Sequence, residues 1–127
     1  EQIIHVLGFR GKRDVTKREV MIDSSKEFSH LIILTLDDLN GEKEESMISS
    51  LNELKERFLD LPIVVIPDRT QAISFAWRKV NGSKDWVFIT GKGSERYEQV
   101  FELPCSSDKE TITYLKNRTN NNKCIFP

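Results

Sequence analysis

Residues 86–95 read Trp-Val-Phe-Ile-Thr-Gly-Lys-Gly-Ser-Glu, an apolar run that ends abruptly in a glycine turn. Its first five residues are aromatic or β-branched, which suits a buried strand. The two glycines permit positive φ, and the amides of such a turn can form a concavity that binds anions. Glu95 adds a carboxylate directly beyond it. The stretch predicts a strand whose carboxyl end holds a charged ligand, although a tight turn with solvated charges is the simpler interpretation of these residues alone.

The rest of the chain alternates strand-like runs with stretches of helical periodicity. Apolar, β-branched runs occur at 2–8, 30–36 and 62–67, and apolar residues recur at helical spacing over 16–28, 42–59, 68–80 and 106–115. The run at 30–36 is nearly unbroken, which is typical of a strand covered on both faces. The alternation predicts an α/β fold, a Rossmann-like three-layer domain with a mostly parallel sheet.

One further strand is expected after the glycine turn. Tyr97, Gln99 and Phe101 alternate with the residues between them over 97–102. Because the turn is too short for a helical crossover, we predict that this segment is an antiparallel edge strand.

The length of the chain is that of one domain. Its 127 residues can enclose one hydrophobic core but not two. We predict a domain at 1–116 and a flexible C-terminal tail at 117–127, where apolar residues are scarce. Since the chain opens without methionine and runs straight into a strand, we expect that it was cut from a longer polypeptide.

The composition argues against several classes of partner. The net charge is −1, from 19 basic and 20 acidic residues, so we expect no nucleic-acid partner. No apolar run approaches the length that spans a membrane, so we expect no membrane partner. Cys105 and Cys124 lack metal-ligand spacing, and His5 and His30 stand alone in apolar runs. We therefore expect no metal site and a cytoplasmic protein with reduced thiols.

Charged residues follow three of the predicted strands. They occur at 12–14, at 37–38, and at Lys92 and Glu95. In doubly wound sheets, ligands bind outside the carboxyl ends of the strands. The three loops together predict a binding site at that edge, but they do not identify a reaction, and no catalytic residue is assigned.

Short motifs spread over nearly the whole chain carry a family resemblance. They are Gly-Lys-Arg-Asp at 11–14 with Lys-Arg at 17–18, Asp-Asp-Leu-Asn at 37–40, Pro-Asp-Arg-Thr-Gln-Ala-Ile at 67–73, Gly-Lys-Gly-Ser-Glu-Arg-Tyr at 91–97, and Ser-Asp at 107–108. These motifs resemble those of the C-terminal domain of Mur ligases. The turn at 91–97 resembles most the UDP-N-acetylmuramoyl-tripeptide synthetase (MurE) type.

The resemblance implies a part of an ATP-dependent ligase of peptidoglycan precursor synthesis. Such an enzyme joins an amino acid to a UDP-MurNAc-peptide through an acyl phosphate, with ATP and Mg²⁺ bound mainly by a central domain. The C-terminal domain closes over the central domain and presents the amino acid. The chain contains no Gly-Lys-Ser/Thr phosphate loop. We therefore expect no cofactor in this domain, no activity from the isolated chain, and the central and N-terminal domains of the same chain as partners.

Family roles carry over to individual positions. Contacts to the amino acid fall on Arg13, Asp38, Asn40, Gly91 and Glu95, and candidate nucleotide or phosphate contacts are Lys12, Asp14, Lys17 and Lys92. The planar guanidinium of Arg13 suits a carboxylate because it can donate two parallel hydrogen bonds. The alternatives are a surface cation or an ion pair with Asp14 for Arg13, and an ordinary surface acid for Glu95.

Several positions depart from the family pattern. Lys12 replaces an acid, Ser94 a histidine, Asp38 an asparagine and Leu39 a proline. Asn40 stands where enzymes that add meso-diaminopimelate typically have arginine, so lysine is the favoured amino acid. The adjacent acids at 37–38 could favour an ammonium group. These departures keep open a second hypothesis, a non-catalytic α/β binding or interaction domain of a diverged paralogue.

Overall fold

The computed structural model describes residues 1–80, 83–92 and 95–119. The strands are β1 (Ile3–Phe9), β2 (Leu31–Leu36), β3 (Ile63–Val65) and β4 (Trp86–Thr90), and the helices are α1 (Arg18–Lys26), α2 (Glu44–Arg57), α3 (Arg69–Lys79) and α4 (Asp108–Thr119). A 3₁₀ turn at Val15–Lys17 leads into α1. Asp68 caps α3, since its carboxylate accepts a 3.0 Å hydrogen bond from the Gln71 amide.

The four strands form one parallel sheet in the order β3-β2-β1-β4. In the register of the two central strands, Val6 of β1 lies opposite Ile33 of β2. Both side chains are 0% exposed, as expected for strands covered on both faces. The predicted Rossmann-like α/β fold is confirmed.

Alternate residues of β1 divide the core between two helical layers. Ile4 and Val6 pack with α3 and with Leu115 of α4. Leu7 and Phe9 pack on the opposite face with residues of α1 and α2. The period of two along the strand thus gives the three layers that the sequence predicts.

One face of the edge strand β4 is only partly covered. Trp86 and Phe88 are 39% and 43% exposed, whereas Val87 between them is 9% exposed. Phe28, just beyond α1, meets Phe88 edge to face with the ring centroids 5.9 Å apart. This side of the sheet therefore presents aromatic rings to solvent.

The predicted antiparallel edge strand is wrong. Residues 95–107 contain no strand and instead cross the carboxyl edge of the sheet as an irregular segment, which we call the strap. Its backbone bonds to side chains, with the Glu102 amide donating to Asp68 and the Leu103 amide to Thr70. The alternation that suggested a strand is present in the burial of the segment, since Tyr97, Gln99 and Phe101 are half-buried and the residues between them are exposed. The rings of Tyr97 and Phe101 meet edge to face, with centroids 5.0 Å apart.

The end of the chain differs in part from the predicted boundary. Helix α4 continues through residues 117–119, where we expected the tail to begin. The Asn-Gly pair at 81–82 is typical of a helix end and predicts the end of α3, but it lies outside the described residues, as do residues 120–127. The 1–116 domain and the tail stay predictions. Within the described ranges, no helix is long and apolar enough to cross a membrane.

His5 lies buried on β1 in a chain of hydrogen bonds. Its Nδ1 lies 2.7 Å from Ser25 Oγ, and its Nε2 lies 2.9 Å from Thr90 Oγ1. The Ser25 hydroxyl also lies 2.8 Å from that of Ser29. Burial disfavours the charged imidazole and lowers the pKa of His5 to about 4.

We expect acid to destabilise the domain through His5. Because its pKa is lower in the folded than in the unfolded state, its contribution to stability is complete above about pH 6.5 and is lost as the pH falls toward 4. The free energy of unfolding should fall by about 2–3 kcal/mol over that range. Urea unfolding at a series of pH values measures this slope, and His5→Gln should flatten it. Parallel profiles for the two proteins would contradict the assignment.

Candidate functional site

A recess of about 100 Å³ opens at the carboxyl ends of β1 and β4. It is lined by Gly8, Phe9, Arg10, Arg13, Asp14, Met21, Asp37 and Gly91. Successive strands run from β1 outward to β3, and the chain then returns to place β4 on the other side of β1. The recess thus lies at the topological switch point, where open parallel sheets bind ligands.

The loop after β1 is held in place by Arg18. This side chain is 4% exposed, and its guanidinium donates to the carbonyl of Arg10 at 2.7 Å and to that of Arg13 at 3.3 Å. Lys12 and Asp14 have φ of 56° and 52° in the left-handed region. Such backbone is costly for residues other than glycine and persists only where surrounding contacts hold it, so the loop has one defined conformation. Its exposed member Arg13 lines the recess.

The loop after β2 is joined directly to the loop after β1. The Gly11 amide donates to the Asp38 carbonyl at 2.8 Å, and the Asn40 side-chain amide donates to the Gly11 carbonyl at 2.9 Å. A Cβ on Gly11 would lie 1.9 Å from the Leu39 carbonyl oxygen, so only glycine permits this approach. The Asn40 side chain thus ties the two loops together.

Lys92 forms ion pairs with both acids at the end of β2. Its ammonium lies 2.7 Å from an oxygen of Asp38 and 3.2 Å from an oxygen of Asp37, and its side chain is 5% exposed. Burial opposes the charge, but the two carboxylates outweigh it and raise the pKa of Lys92. The ammonium is therefore engaged within the protein, which favours a structural role over contact with a phosphate.

Arg69 forms a second buried ion pair beneath the recess. Its side chain is 0% exposed, and it donates two hydrogen bonds of 2.8 Å to the two carboxylate oxygens of Asp108. It also donates to the carbonyls of Thr90 at 3.0 Å and of Leu36 at 3.4 Å. Burial works against the charge, yet Asp108 raises the pKa of Arg69 overall. The pair joins α3 to α4 and to the ends of two strands.

The strap is fixed to the same buried group. The Tyr97 hydroxyl donates to Asp108 at 2.6 Å, and burial followed by this hydrogen bond raises the pKa of Tyr97, so the hydroxyl stays protonated. The Gln99 side chain donates to the Asp37 carbonyl at 2.6 Å. The strap thus lies over the carboxyl edge, next to the recess.

The predicted site residues fall into three groups. Arg13, Asp14 and Gly91 line the recess together, and Gly91 has φ of 122°. Asp38 and Asn40 lie in the neighbouring loop, but the Asp38 carboxylate accepts from Lys92 and the Asn40 amide donates to the Gly11 carbonyl. Lys12, Lys17 and Glu95 are exposed, and the Glu95 amide donates to the Lys92 carbonyl at 2.9 Å. Gly93 and Ser94 lie outside the described residues.

Sequence reasoning missed the residues that organise this site. Arg10 lines the recess, while Arg18, Arg69 and Asp108 are buried and hold its surroundings. Arg69 and Asp108 occur in two of the motifs, but nothing local in the sequence pairs groups 39 residues apart. Among the described residues, no group of three His, Cys, Asp or Glu side chains could hold a metal ion.

The parallel sheet, with a charged recess at its switch point, defines an α/β domain of the Rossmann-like class. Comparison with protein families matches residues 1–93 to the Mur ligase, glutamate ligase domain. The chain belongs to this family.

Similar curated proteins carry the name UDP-N-acetylmuramoyl-L-alanyl-D-glutamate--2,6-diaminopimelate ligase. The one from Clostridioides difficile is 37% identical over 111 residues, which cover 87% of this chain and 22% of the relative. Those from Caldanaerobacter subterraneus and Cytophaga hutchinsonii are 34% and 33% identical, over 86% and 78% of the chain and 22% and 20% of their own lengths. The chain therefore spans about a fifth of the length of these relatives.

Proposed function

We propose that this chain is the substrate-closing domain of an ATP-dependent amino-acid ligase of peptidoglycan precursor synthesis. The parent enzyme joins an amino acid to a UDP-MurNAc-peptide in the cytoplasm, and the other domains of the same polypeptide form the acyl phosphate. The amine of the amino acid attacks that acyl carbon, an amide bond forms and phosphate leaves. This domain supplies one wall of the site and presents the amino acid.

A single observation carries the proposal: Arg13 lines a recess at the switch point of a Mur ligase domain. Arg18 holds the carbonyl of Arg13, so the loop is ordered before any ligand arrives. Preorganisation lowers the entropy lost on binding. A guanidinium can hold the carboxylate of an amino acid by two hydrogen bonds, and Arg13 is the residue we assign to this contact.

The described residues offer no self-contained site for ATP and Mg²⁺. The sequence has no Gly-Lys-Ser/Thr phosphate loop, and Lys92, the lysine of its Gly-Lys-Gly turn, pairs with Asp37 and Asp38. The described residues also lack a cluster of three metal-ligating side chains. We assign the binding of both groups mainly to the rest of the parent, with the exposed Lys12, Asp14 and Lys17 as candidate nucleotide or phosphate contacts.

The choice of amino acid remains a proposal, with lysine favoured over diaminopimelate. The position that carries arginine in diaminopimelate-adding enzymes is Asn40 here, and its amide already bonds to the Gly11 carbonyl. An ammonium site at Asp37 and Asp38 is less favoured than the sequence suggested, because Lys92 already occupies both carboxylates. An amino-acid screen with the full-length protein, monitored by ADP release, tests this choice.

Arg13→Ala should weaken productive use of the amino acid. Because a hydrogen bond to a charged group contributes about 1.5–3 kcal/mol, kcat/KM for the amino acid should fall roughly 10- to 150-fold in the full-length enzyme. Steady-state kinetics measures the change. Arg57→Ala removes an equal charge from a surface pair with Glu19, and it should leave kcat/KM unaltered. An unchanged value in Arg13→Ala would reject the assigned contact.

A second candidate is a non-catalytic binding or interaction domain that keeps the fold. The observation in its favour is that Asp38 and Asn40, two expected substrate contacts, are engaged within the protein. A phosphate-loop domain upstream of Glu1, together with ADP release that depends on an amino acid, would exclude this candidate.

A further inference from the structure

We propose that Arg69 is a positioning residue that sets the width of the recess. The inference rests on the proposed function, because it concerns the wall that would present the amino acid. Arg69 itself does not line the recess, which is formed above it by residues such as Asp37 and Gly91. It acts through the ends of two strands.

The guanidinium spans two strands that are not neighbours. Its hydrogen-bond acceptors are the Leu36 carbonyl at the end of β2 and the Thr90 carbonyl at the end of β4. The next residues are Asp37 and Gly91, and both line the recess. Since β1 lies between β2 and β4, the guanidinium fixes the separation of two strand ends that have no direct backbone pairing.

Gly8 of β1 makes this span possible. A Cβ at this position would lie 2.1 Å from a terminal nitrogen of Arg69, so any side chain would displace the guanidinium. A side chain at Gly91 would also crowd this group, because a Cβ there would lie 3.1 Å from a carboxylate oxygen of Asp37 and 3.3 Å from a terminal nitrogen of Arg69. The absence of a side chain at Gly8 and at Gly91 therefore leaves room for the Arg69 guanidinium in its observed position.

A lysine at position 69 would keep the charge but lose the span. An ammonium is a single donor centre, whereas the arginine nitrogens reach Asp108 and the two carbonyls in different directions. A lysine can form an ion pair with Asp108 but leaves the Leu36 and Thr90 carbonyls without their hydrogen-bond donor. The Arg69→Lys variant therefore separates positioning of the recess from neutralisation of the buried acid.

The kinetic test uses the full-length ligase with Arg69→Lys and Gly8→Ala. Displacement of a binding wall by about 1 Å can reduce activity by up to two orders of magnitude, so KM for the amino acid should rise about 10-fold or more in both variants. KM for ATP should stay within about 2-fold. Ile22→Val, which trims the core on the α1 side of the sheet, is the control for simple loss of stability. An unchanged amino-acid KM, or an equal rise in both KM values, would overturn the proposal.

Hydrogen exchange in the isolated chain tests the proposal even if a variant does not fold in the full-length enzyme or the parent is inactive. In the isolated chain, Tyr97→Phe removes one hydrogen bond to Asp108 and spares Arg69, so it is the milder perturbation. Hydrogen exchange of the Asp37 and Asp38 amides should accelerate in Arg69→Lys and in Tyr97→Phe relative to the amides of α2. If exchange instead accelerates equally at the Asp37, Asp38 and α2 amides in Arg69→Lys and Tyr97→Phe, as we expect for Ile22→Val, the positioning role is rejected. A wild-type parent that releases no ADP with any amino acid would reject the proposed function alone, since this exchange test does not depend on it.

Discussion

Asp108→Ala is expected to lower the free energy of unfolding by about 3–5 kcal/mol, because it leaves a buried guanidinium without its bidentate counter-ion. Arg69 is 0% exposed and gives two of its hydrogen bonds to this carboxylate. The Tyr97 hydroxyl also loses its acceptor, and α4 loses an acid from its first turn. Urea unfolding of the 127-residue chain, followed by circular dichroism, measures the loss.

A surface acid provides the matched control for this change. Asp23 pairs with Lys26 at 3.3 Å on α1, and the two side chains are 53% and 42% exposed. Exposed pairs of this kind contribute about 0–1 kcal/mol, so Asp23→Ala should change stability very little. Equal losses from Asp108→Ala and Asp23→Ala would mean that the buried pair contributes no more to stability than a solvated one.

Ile33→Asp is expected to prevent folding altogether. Ile33 is 0% exposed in β2 and lies between Val6 of β1 and Val64 of β3. A carboxylate there has no partner and no water, and the cost of burying it exceeds the whole stability of a small domain. Soluble yield, far-ultraviolet circular dichroism and thermal melting test this expectation.

Val20→Asp introduces the same carboxylate on the surface of α1. Val20 is 62% exposed, so this variant should fold and melt close to the wild-type protein. Cooperative melting of soluble Ile33→Asp protein would show that β2 is not in the centre of the sheet.

Most of the fold could be predicted from local patterns in the sequence. The run at 30–36 implied a strand covered on both faces, and the apolar spacing over 42–59 implied a helix that the structure gives as Glu44–Arg57. The segment at 97–102 misled because alternation is not unique to strands. There an irregular segment turns Tyr97, Gln99 and Phe101 toward the protein without forming a strand.

The site could be predicted in location but not in its internal bonding. Charged loops after parallel strands indicated the carboxyl edge, where Arg13 and Gly91 line a common recess. Lys92 instead pairs with Asp38, from which it is separated by 54 residues along the chain. Such pairings depend on how the strands are ordered in the sheet, and local periodicity carries no information about that order.

The uneven covering of the sheet gives the protein two optical reporters. Trp77 is 1% exposed in the core between the sheet and α3, whereas Trp86 is 39% exposed on the open face of β4. These are the chain's only two tryptophans. A blue-shifted component of the emission spectrum therefore follows global unfolding through Trp77, while iodide quenching of the red-shifted component follows anything that covers the edge of the sheet.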